Sequence, residues 1–440
     1  MTTIAQIAAS LPGYDPQALR ADDVTAFLRQ LAQPVAQAEE VALFDALGRV
    51  LAQDVVSPMS VPPHDNSAMD GYAFDGAQLQ GGQPLVLRPV GATAFAGAAG
   101  AAAVAPGECV RIMTGAVMPA GLDTVVPQEL ATAEPDGRIR VAPGLLRRGD
   151  NRRLKGEDLL QGRVALPQGE LLTPAALGLA ASLGLQSVTV YRRLRVAFFS
   201  TGNEILSPGE PPREGAVYDS NRYTLFGLLA RLGVQAIDLG VVRDDPALLR
   251  AALARAAREA DAIITSGGAG AGDADHMHAV LQELGDVAFW RIAMRPGRPM
   301  AAGKIQAESP SRADTASAGS YGNGSILFGL PGNPVAVMVT FLAFVRPALL
   351  RMMGCTRPAP PLLRAVAAEP LRKRPGRTEY QRGVVTAAAD GTLQVRTTGN
   401  QGSGVLSSMV QANGLVVLHH GQGPVAAGDT VEVMMFDGAL

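Results

Sequence analysis

A chain of 440 residues exceeds one ordinary domain and suggests three or four at about 150 residues each. It is 47% hydrophobic and 18% charged, and its 38 basic and 40 acidic residues leave a formal net charge of -2, which excludes a globally basic nucleic-acid binder. The 50 glycines and 31 prolines follow no three-residue period, which excludes collagen, and two cysteines, Cys109 and Cys355, cannot build a disulfide framework or a cysteine-rich metal site.

Met1 to Ser10 carries no basic residue and no sustained apolar run, so no secretory signal is expected. Residues 1–50 together with 151–190 read as a small helical and extended domain. There Thr173-Pro174 opens a helix through Leu183 that Gly184 ends. Residues 51–150 are rich in Val, Gly and Pro in short runs and predict a β-rich domain. Residues 191–355 predict an α/β domain. Its strands are Arg195 to Ser200, Val234 to Val242, Ala262 to Thr265 and Ser325 to Leu330. A helix capped by Ser220 or Asn221 stops at Gly233, and Asp244-Asp245-Pro246 opens another. Strands alternating with helices imply a mostly parallel sheet covered on both faces. The polar segment 306–324 (QAESPSRADTASAGSYGNG) predicts a loop inserted between two of these strands. Asn333-Pro334 opens a long apolar helix. Thr340 and Arg346-Pro347 interrupt it short of the roughly 20 apolar residues that a membrane span needs. Residues 356–440 form short strands and turns, predicting a C-terminal β-barrel-like domain. The fold class is therefore a multidomain α/β plus β protein: a central α/β domain, a β-rich second domain, a small helical/extended domain and a C-terminal β domain. A cytoplasmic location is expected, with no nucleic acid and no membrane as partner.

Three loops follow predicted strands of the α/β domain, where open parallel sheets bind ligands. They are Thr201 to Glu204, Arg243 to Asp245 and Ser266 to Asp275. The glycines of the third free backbone N–H groups to face an anion. Glu204, Asp244, Asp273 and Asp275 place carboxylates on the same rim, and carboxylates repel phosphate unless a cation lies between them. Mg²⁺ is the natural bridge, since it takes hard oxygen ligands and shares them with phosphates. Taken singly, the Gly-rich loop reads as a tight connection, Asp244 as a helix cap and Glu204 as a solvated side chain. Their convergence on one edge predicts a Mg²⁺-assisted site for a phosphorylated ligand. Arg295-Pro296-Gly297-Arg298-Pro299 reads either as a solvated hairpin or as a rigid turn carrying two arginines that clamp a phosphate or an oxometal anion.

Taken together and in order, the motifs resemble the molybdopterin molybdenumtransferase family, which includes the E domain of gephyrin. The matching strings are PPHDNSAMDGYAF (62–74), RIMTGAVMPAG (111–121), VVPQE (125–129), FFSTGNEI (198–205), YDSNR (218–222), VVRDD (241–245), SGGAGAGDAD (266–275), RPGRP (295–299) and LPGNPVA (330–336). The resemblance implies four domains and a homodimer whose active cleft lies between the α/β domain of one subunit and the β-rich domain of the other. The implied substrates are adenylyl-molybdopterin and molybdate. Molybdenum moves onto the dithiolene sulfurs and AMP leaves. A molybdopterin adenylyltransferase is a further implied partner.

Carried over residue by residue, the functional positions are Asp65, Thr114, Glu204, Asp244 and Asp275, with Asp65 and Thr114 reaching in from the partner subunit. Asp244, Asp275 and Glu204 would meet the divalent metal. Ser266, Gly267, Gly268 and Asp273 would contact the substrate. Arg295 and Arg298 would hold the pterin phosphate or molybdate, and Pro331 and Asn333 lie in the matching LPGNP turn. This chain departs from the family pattern at Gly270 and Ala271, where Ser and Val are usual, and at Arg295 and Arg298, where lysines are usual. A gephyrin-type binding scaffold and a molybdopterin adenylyltransferase are the alternatives. The retained carboxylates disfavour the first, and the extra domains disfavour the second.

Overall fold

A computed structural model describes residues 3–98, 104–268, 276–306 and 324–436. At its centre is a six-stranded sheet: β1 (Arg195–Thr201), β2 (Gln235–Val242), β3 (Ala262–Ser266), β4 (Gly285–Arg291), β5 (Pro299–Ile305) and β6 (Ser325–Leu330). The spatial order is β2-β1-β3-β6-β5-β4. The first four of these are parallel neighbours, whereas β5 runs antiparallel to both β6 and β4.

Strand alternation explains why β1 is apolar throughout. Val196 and Phe198 face one core together with Ile264, Phe328 and the helix α1 (Ser220–Leu232). Ala197 and Phe199 face the other, with Ile263, Leu327 and the helices α2 (Pro246–Glu259) and α3 (His276–Leu284). A parallel strand buried on both faces needs apolar residues at both parities. The long apolar helix runs as Pro334–Thr340, a π-helical turn Phe341–Val345 and Arg346–Met352. It is mostly buried in the first core.

The helix openings differ in detail from the sequence reading. Asp219, not Ser220 or Asn221, is the N-cap of α1. Its carboxylate accepts the Arg222 N–H at 3.1 Å and the Ser200 hydroxyl at 2.9 Å. At α2 the cap is Asp245, which accepts N–H bonds from Ala247 (2.9 Å) and Leu248 (3.0 Å) ahead of the Pro246 turn. The β4–β5 antiparallel pair had no predicted counterpart. Residues 307–323, between β5 and β6, lie outside the described residues.

The first helices, Ile4–Ala9 and Ala21–Leu31, pack into the central core through Ile4, Ile7, Val24 and Phe27. Phe27 meets Trp290 edge-on at 4.8 Å, and the Trp290 indole N–H donates to the Tyr14 hydroxyl at 2.8 Å. Strand Ala38–Ala42 instead pairs with Ser187–Tyr191, beside the helix Pro174–Ser182 and its Thr173 cap. A second six-stranded sheet is built from Thr124–Pro127, Gly71–Phe74, Glu108–Ile112, Leu85–Pro89, Ile139–Val141 and Thr132–Ala133. At the C-terminal end five strands close on themselves: Thr378–Ala387, Leu393–Thr397, Leu362–Ala367, Thr430–Met435 and Gly414–Leu418, the last pairing back with the first. Met294–Arg295 adds a short parallel strand to this barrel, Arg295 lying opposite Glu379. The arginine turn is thus tied to the barrel by backbone pairing.

Candidate active site

Register sets the site. Thr201 pairs with Val242, Ser200 with Ser266, and Ser266 with Leu330, so the parallel strands β2, β1, β3 and β6 end level with one another. The loops that leave β1, β3 and β6 border a cleft of about 500 Å³. Its walls include Thr201, Glu204, Asn221, Ser266, Gly267 and Asn333. This is the carboxyl-end crevice of an open α/β sheet. Asn203 Oδ1 accepts the Asp244 N–H at 3.3 Å, which binds the first loop to the second. Asp244 itself is not on the cleft wall. Because Asp245 caps α2, the Asp244 carboxylate is spare, and the reading of Asp244 as only a cap fails. Neither it nor the Glu204 carboxylate makes a hydrogen bond or ion pair among the described residues. Glu204 folds back over Gly202, where a Cβ would stand 2.5 Å from Glu204 Oε2. Gly267 has φ +94°, and a Cβ there would sit 2.6 Å from the Thr201 carbonyl oxygen. The loop after β3 therefore leaves the sheet only with glycine at this point. Asp273 and Asp275 fall outside the described residues.

The sequence marked Asn221 as a candidate helix cap and as part of the YDSNR string, but not as a site residue. It is 8% exposed. Its Nδ2 donates to Ser266 Oγ at 2.7 Å and to the Gly332 carbonyl at 2.7 Å. A carbonyl can only accept, which fixes the amide orientation. Ser266 Oγ accepts from Asn221, so its own hydrogen is left to donate into the cleft. Asn221 thus pins three of the site's elements together: α1, the end of β3 and the end of β6. We expect Asn221→Ala to leave the Gly332 carbonyl unpaired at a cost of about 1–3 kcal/mol. Thermal unfolding should show a lower Tm, and any turnover at this cleft should fall by more than about tenfold as the strand ends drift. An unchanged Tm and unchanged turnover would remove Asn221 from the site.

Beyond Gly332 and Asn333, which the two share, lies a second cavity of about 460 Å³. Arg295, Gly297 and Arg298 line it from one side, and Arg377, Gln401 and Ser403 from the barrel side. The reading of the turn as a free surface hairpin fails, because the turn is held from two directions. Arg295 pairs with the barrel, and Gly297 (φ +92°) abuts the long apolar helix, where a Cβ would come within 2.5 Å of Thr340 Oγ1. No hydrogen bond or ion pair among the described residues engages the guanidinium of Arg295 or Arg298. Pro331 lines this cavity beside Gly332 and Asn333, so the LPGNP turn forms the wall between the strand-end cleft and the arginine-lined cavity.

Asp65 and Thr114 lie elsewhere, on the β-rich unit. The Gly115 N–H donates to the Ser67 carbonyl at 2.8 Å, and the Met118 N–H to the Asp65 carbonyl at 2.9 Å. These bonds bring the DNSAMDGYA and RIMTGA strings together. Asp65 Oδ1 accepts the Lys155 N–H at 2.8 Å, with Arg152 3.6 Å from Oδ2. Thr114 is held by Asp70, another residue the sequence did not mark. Asp70 Oδ1 accepts both the Thr114 N–H and its hydroxyl, each at 2.7 Å. The Thr114 N–H, then its hydroxyl, keep the Asp70 carboxyl below the usual carboxylate range. A depressed pKa keeps the charge at any pH above it, so both bonds persist through the neutral range and are lost only in acid. No hydrogen bond or ion pair among the described residues joins Asp65 or Thr114 to the strand-end cleft of the same chain.

A parallel α/β unit with a strand-end cleft, flanked by a β-rich sheet and a closed barrel, makes this a multidomain α/β protein, and its class follows from the families that its segments match. Residues 197–351 match the probable molybdopterin binding domain, residues 19–184 the MoeA N-terminal region (domains I and II), and residues 364–436 the MoeA C-terminal region (domain IV). The chain belongs to the MoeA family. It is 40% identical over 414 residues to the molybdopterin molybdenumtransferase of Haemophilus influenzae, covering 94% of this chain and 97% of that one. It is 36% identical to molybdopterin molybdenumtransferase 2 of Mycobacterium tuberculosis, covering 89% and 94%. Among solved structures, the molybdopterin biosynthesis moeA protein of Pyrococcus horikoshii OT3 superposes with a TM-score of 0.76 at 25% identity, covering 95% of this chain and all of that one.

Proposed function

We propose that this enzyme, a molybdopterin molybdenumtransferase by family, carries out its reaction across the shared Gly332–Asn333 wall. Adenylyl-molybdopterin would lie with its phosphates in the strand-end cleft, and molybdate would enter the arginine-lined cavity. The carrying observation is the adjacency of the two cavities, one with the unpaired Glu204 carboxylate on its wall and the other with the unpaired guanidiniums of Arg295 and Arg298. The reaction joins molybdenum to the dithiolene sulfurs and releases AMP, the last step of molybdenum cofactor synthesis.

The donor chemistry suits Mg²⁺: two unpaired carboxylates, Glu204 on the cleft wall and Asp244 beside it, on loops joined by the Asn203 contact. Asp275 is the third carboxylate in this reading. When bound, the ion would offset charge on the scissile phosphoanhydride. The protein's own part is positional. Ser266 donates to a phosphate oxygen, Gly267 and Gly268 let the ligand approach the backbone, and Asp273 is a further substrate contact in this reading. Arg295 and Arg298 hold the tetrahedral oxyanion by paired N–H groups, a planar fork rather than the point charge of a lysine.

Asp65 and Thr114 act in this reading from a second copy of the chain. Support comes from the apolar surface. Phe44 is fully exposed, and Leu47, Tyr223 and Phe226 are each more than half exposed. Phe44 and Leu47 precede Gly48, whose carbonyl lies near Gly233 at the end of α1, the helix that presents Tyr223 and Phe226. A homodimer would cover these side chains. The reading also keeps the enzyme in the cytoplasm, with a molybdopterin adenylyltransferase supplying its substrate.

Purified protein incubated with adenylyl-molybdopterin, Mg²⁺ and molybdate is expected to release AMP and yield cofactor that reconstitutes a molybdenum-free apoenzyme. Binding without turnover would instead indicate a scaffold. ATP-dependent adenylylation of free molybdopterin would indicate an adenylyltransferase.

A further inference from the structure

Two hydroxyls belong to the site as read above, and their hydrogen-bond polarities are opposite. A hydroxyl has one hydrogen and two lone pairs, so the partner it already holds decides what it offers next. Ser266 Oγ accepts from Asn221 Nδ2 and keeps its hydrogen. Thr114 is the reverse. Its N–H and its hydroxyl both donate to one oxygen, Asp70 Oδ1, each at 2.7 Å. An ionised carboxylate only accepts, so the Thr114 hydrogen is committed to Asp70. Thr114 is exposed, and no other hydrogen bond among the described residues engages its Oγ1, which therefore turns lone pairs outward. Backbone bonds hold both residues before the side chains meet. The Gln128 N–H donates to the Asp70 carbonyl at 3.0 Å, and the next residue, Gly71, pairs with Ile112 and Pro127. On either side of Thr114, the Met113 N–H donates to the Ala94 carbonyl at 2.9 Å and the Gly115 N–H to the carbonyl of the buried Ser67 at 2.8 Å.

We propose that Thr114 reads a hydrogen-bond donor of the substrate, an O–H or N–H outside its phosphates, and that Asp70 is the positioning residue that fixes this polarity. The proposal rests on the reading that Thr114 serves the cleft of a second copy. A phosphate oxygen is itself an acceptor and would meet lone pairs at Thr114, so the phosphates stay with Ser266. The donors that adenylyl-molybdopterin brings are its ribose hydroxyls and its ring and amino N–H groups. Ser266 and Thr114 then sort the two chemical faces of one ligand, the anionic and the donor-bearing. A site that hydrogen-bonds an O–H or N–H rejects a ligand without one more sharply than apolar contact does.

The test uses full-length enzyme and two probes: adenylyl-molybdopterin in equilibrium dialysis without molybdate, and pyrophosphate, whose oxygens are almost all acceptors, as a competitor. Thr114→Val, which keeps the shape and loses the hydroxyl, is expected to raise Kd for adenylyl-molybdopterin about tenfold and to leave pyrophosphate inhibition unchanged. Thr114→Ser should stay within about threefold of the parent. Ser266→Ala, the hydroxyl of the other polarity, is the control and should weaken both probes. Asp70→Ala should raise Kd about fivefold. Asp70→Asn should recover most of that loss, because its single carbonyl oxygen can accept both Thr114 bonds. The double variant Asp70→Ala/Thr114→Val should bind no worse than Thr114→Val alone, since Asp70 acts through Thr114. If Thr114→Val weakens both probes alike, the hydroxyl meets a phosphate, and the polarity is wrong while the site reading stands. If it weakens neither, Thr114 lies outside the site, and that part of the functional reading falls with the proposal. If Asp70→Asn binds as poorly as Asp70→Ala, or if Asp70→Ala lowers only the Tm, the positioning role of Asp70 is overturned.

Discussion

Asp244→Asn is expected to cut AMP release about a hundredfold, the equivalent of roughly 3 kcal/mol of lost transition-state stabilisation, while leaving the fold intact. The fold should survive because Asp245, not Asp244, caps α2. The Asp244 backbone keeps its bond to Asn203 Oδ1 whatever its side chain becomes. Asparagine retains the size and loses only the charge. If the carboxylate works with Glu204 to hold Mg²⁺ against the phosphates, the loss should show as a changed metal dependence. Chelated wild-type enzyme, titrated with Mg²⁺, should regain activity with a saturable midpoint. The variant's midpoint should lie at least about tenfold higher, with its residual rate rising at high Mg²⁺. If the chelated wild-type enzyme releases AMP at a rate indifferent to added Mg²⁺, no cation sits among these carboxylates, and the roles of Glu204, Asp244 and Asp275 go together.

The sequence made this much of the site legible because local signals carried it. The apolar run of β1, the Asp-Pro opening of α2 and the Pro-Gly after β6 each declare a strand end or a helix start from a few adjacent residues. When four such ends belong to one parallel sheet, their loops must meet at its carboxyl edge. What stayed hidden depends on contacts between distant residues. Asn221 reaches Gly332 across 111 positions, and no pattern near residue 221 announces that bond. Its neighbour Asp219 took the helix cap instead, because its carboxylate also meets the buried Ser200 hydroxyl. The strands β4 and β5 contain Gly285 and Gly303, and at each a Cβ would strike the facing strand's backbone within 2.3 Å. Residues that allow such close approach weaken the strand signal they would otherwise give. The arginine turn meets the barrel only through the pairing of Met294–Arg295 with Thr378 and Glu379, a contact between residues far apart in the chain.

Mixing two inactive variants is expected to restore activity. Asp65→Ala and Asp244→Ala alter residues that no hydrogen bond or ion pair brings together within one described chain. Asp65 stands on the β-rich unit beside Lys155 and Arg152, and Asp244 follows β2 of the central sheet. If each cleft takes its carboxylates from two subunits, a heterodimer of the two variants carries one site with both lesions and one with neither. Equal amounts, unfolded and refolded together, should give half heterodimers. Activity should then return to about a quarter of wild type from two nearly silent parents. The exposed side chains of Phe44, Leu47, Tyr223 and Phe226 give a second handle on the same claim. Replacing Phe44 and Phe226 by Asp should shift the sedimentation coefficient toward the monomer and abolish complementation together with activity, because the cost of burying a charge opposes association. Were the mixed variants to stay silent while heterodimers form, Asp65 and Asp244 would have to serve the same cleft from one chain, and the motion required to bring them together would become part of catalysis.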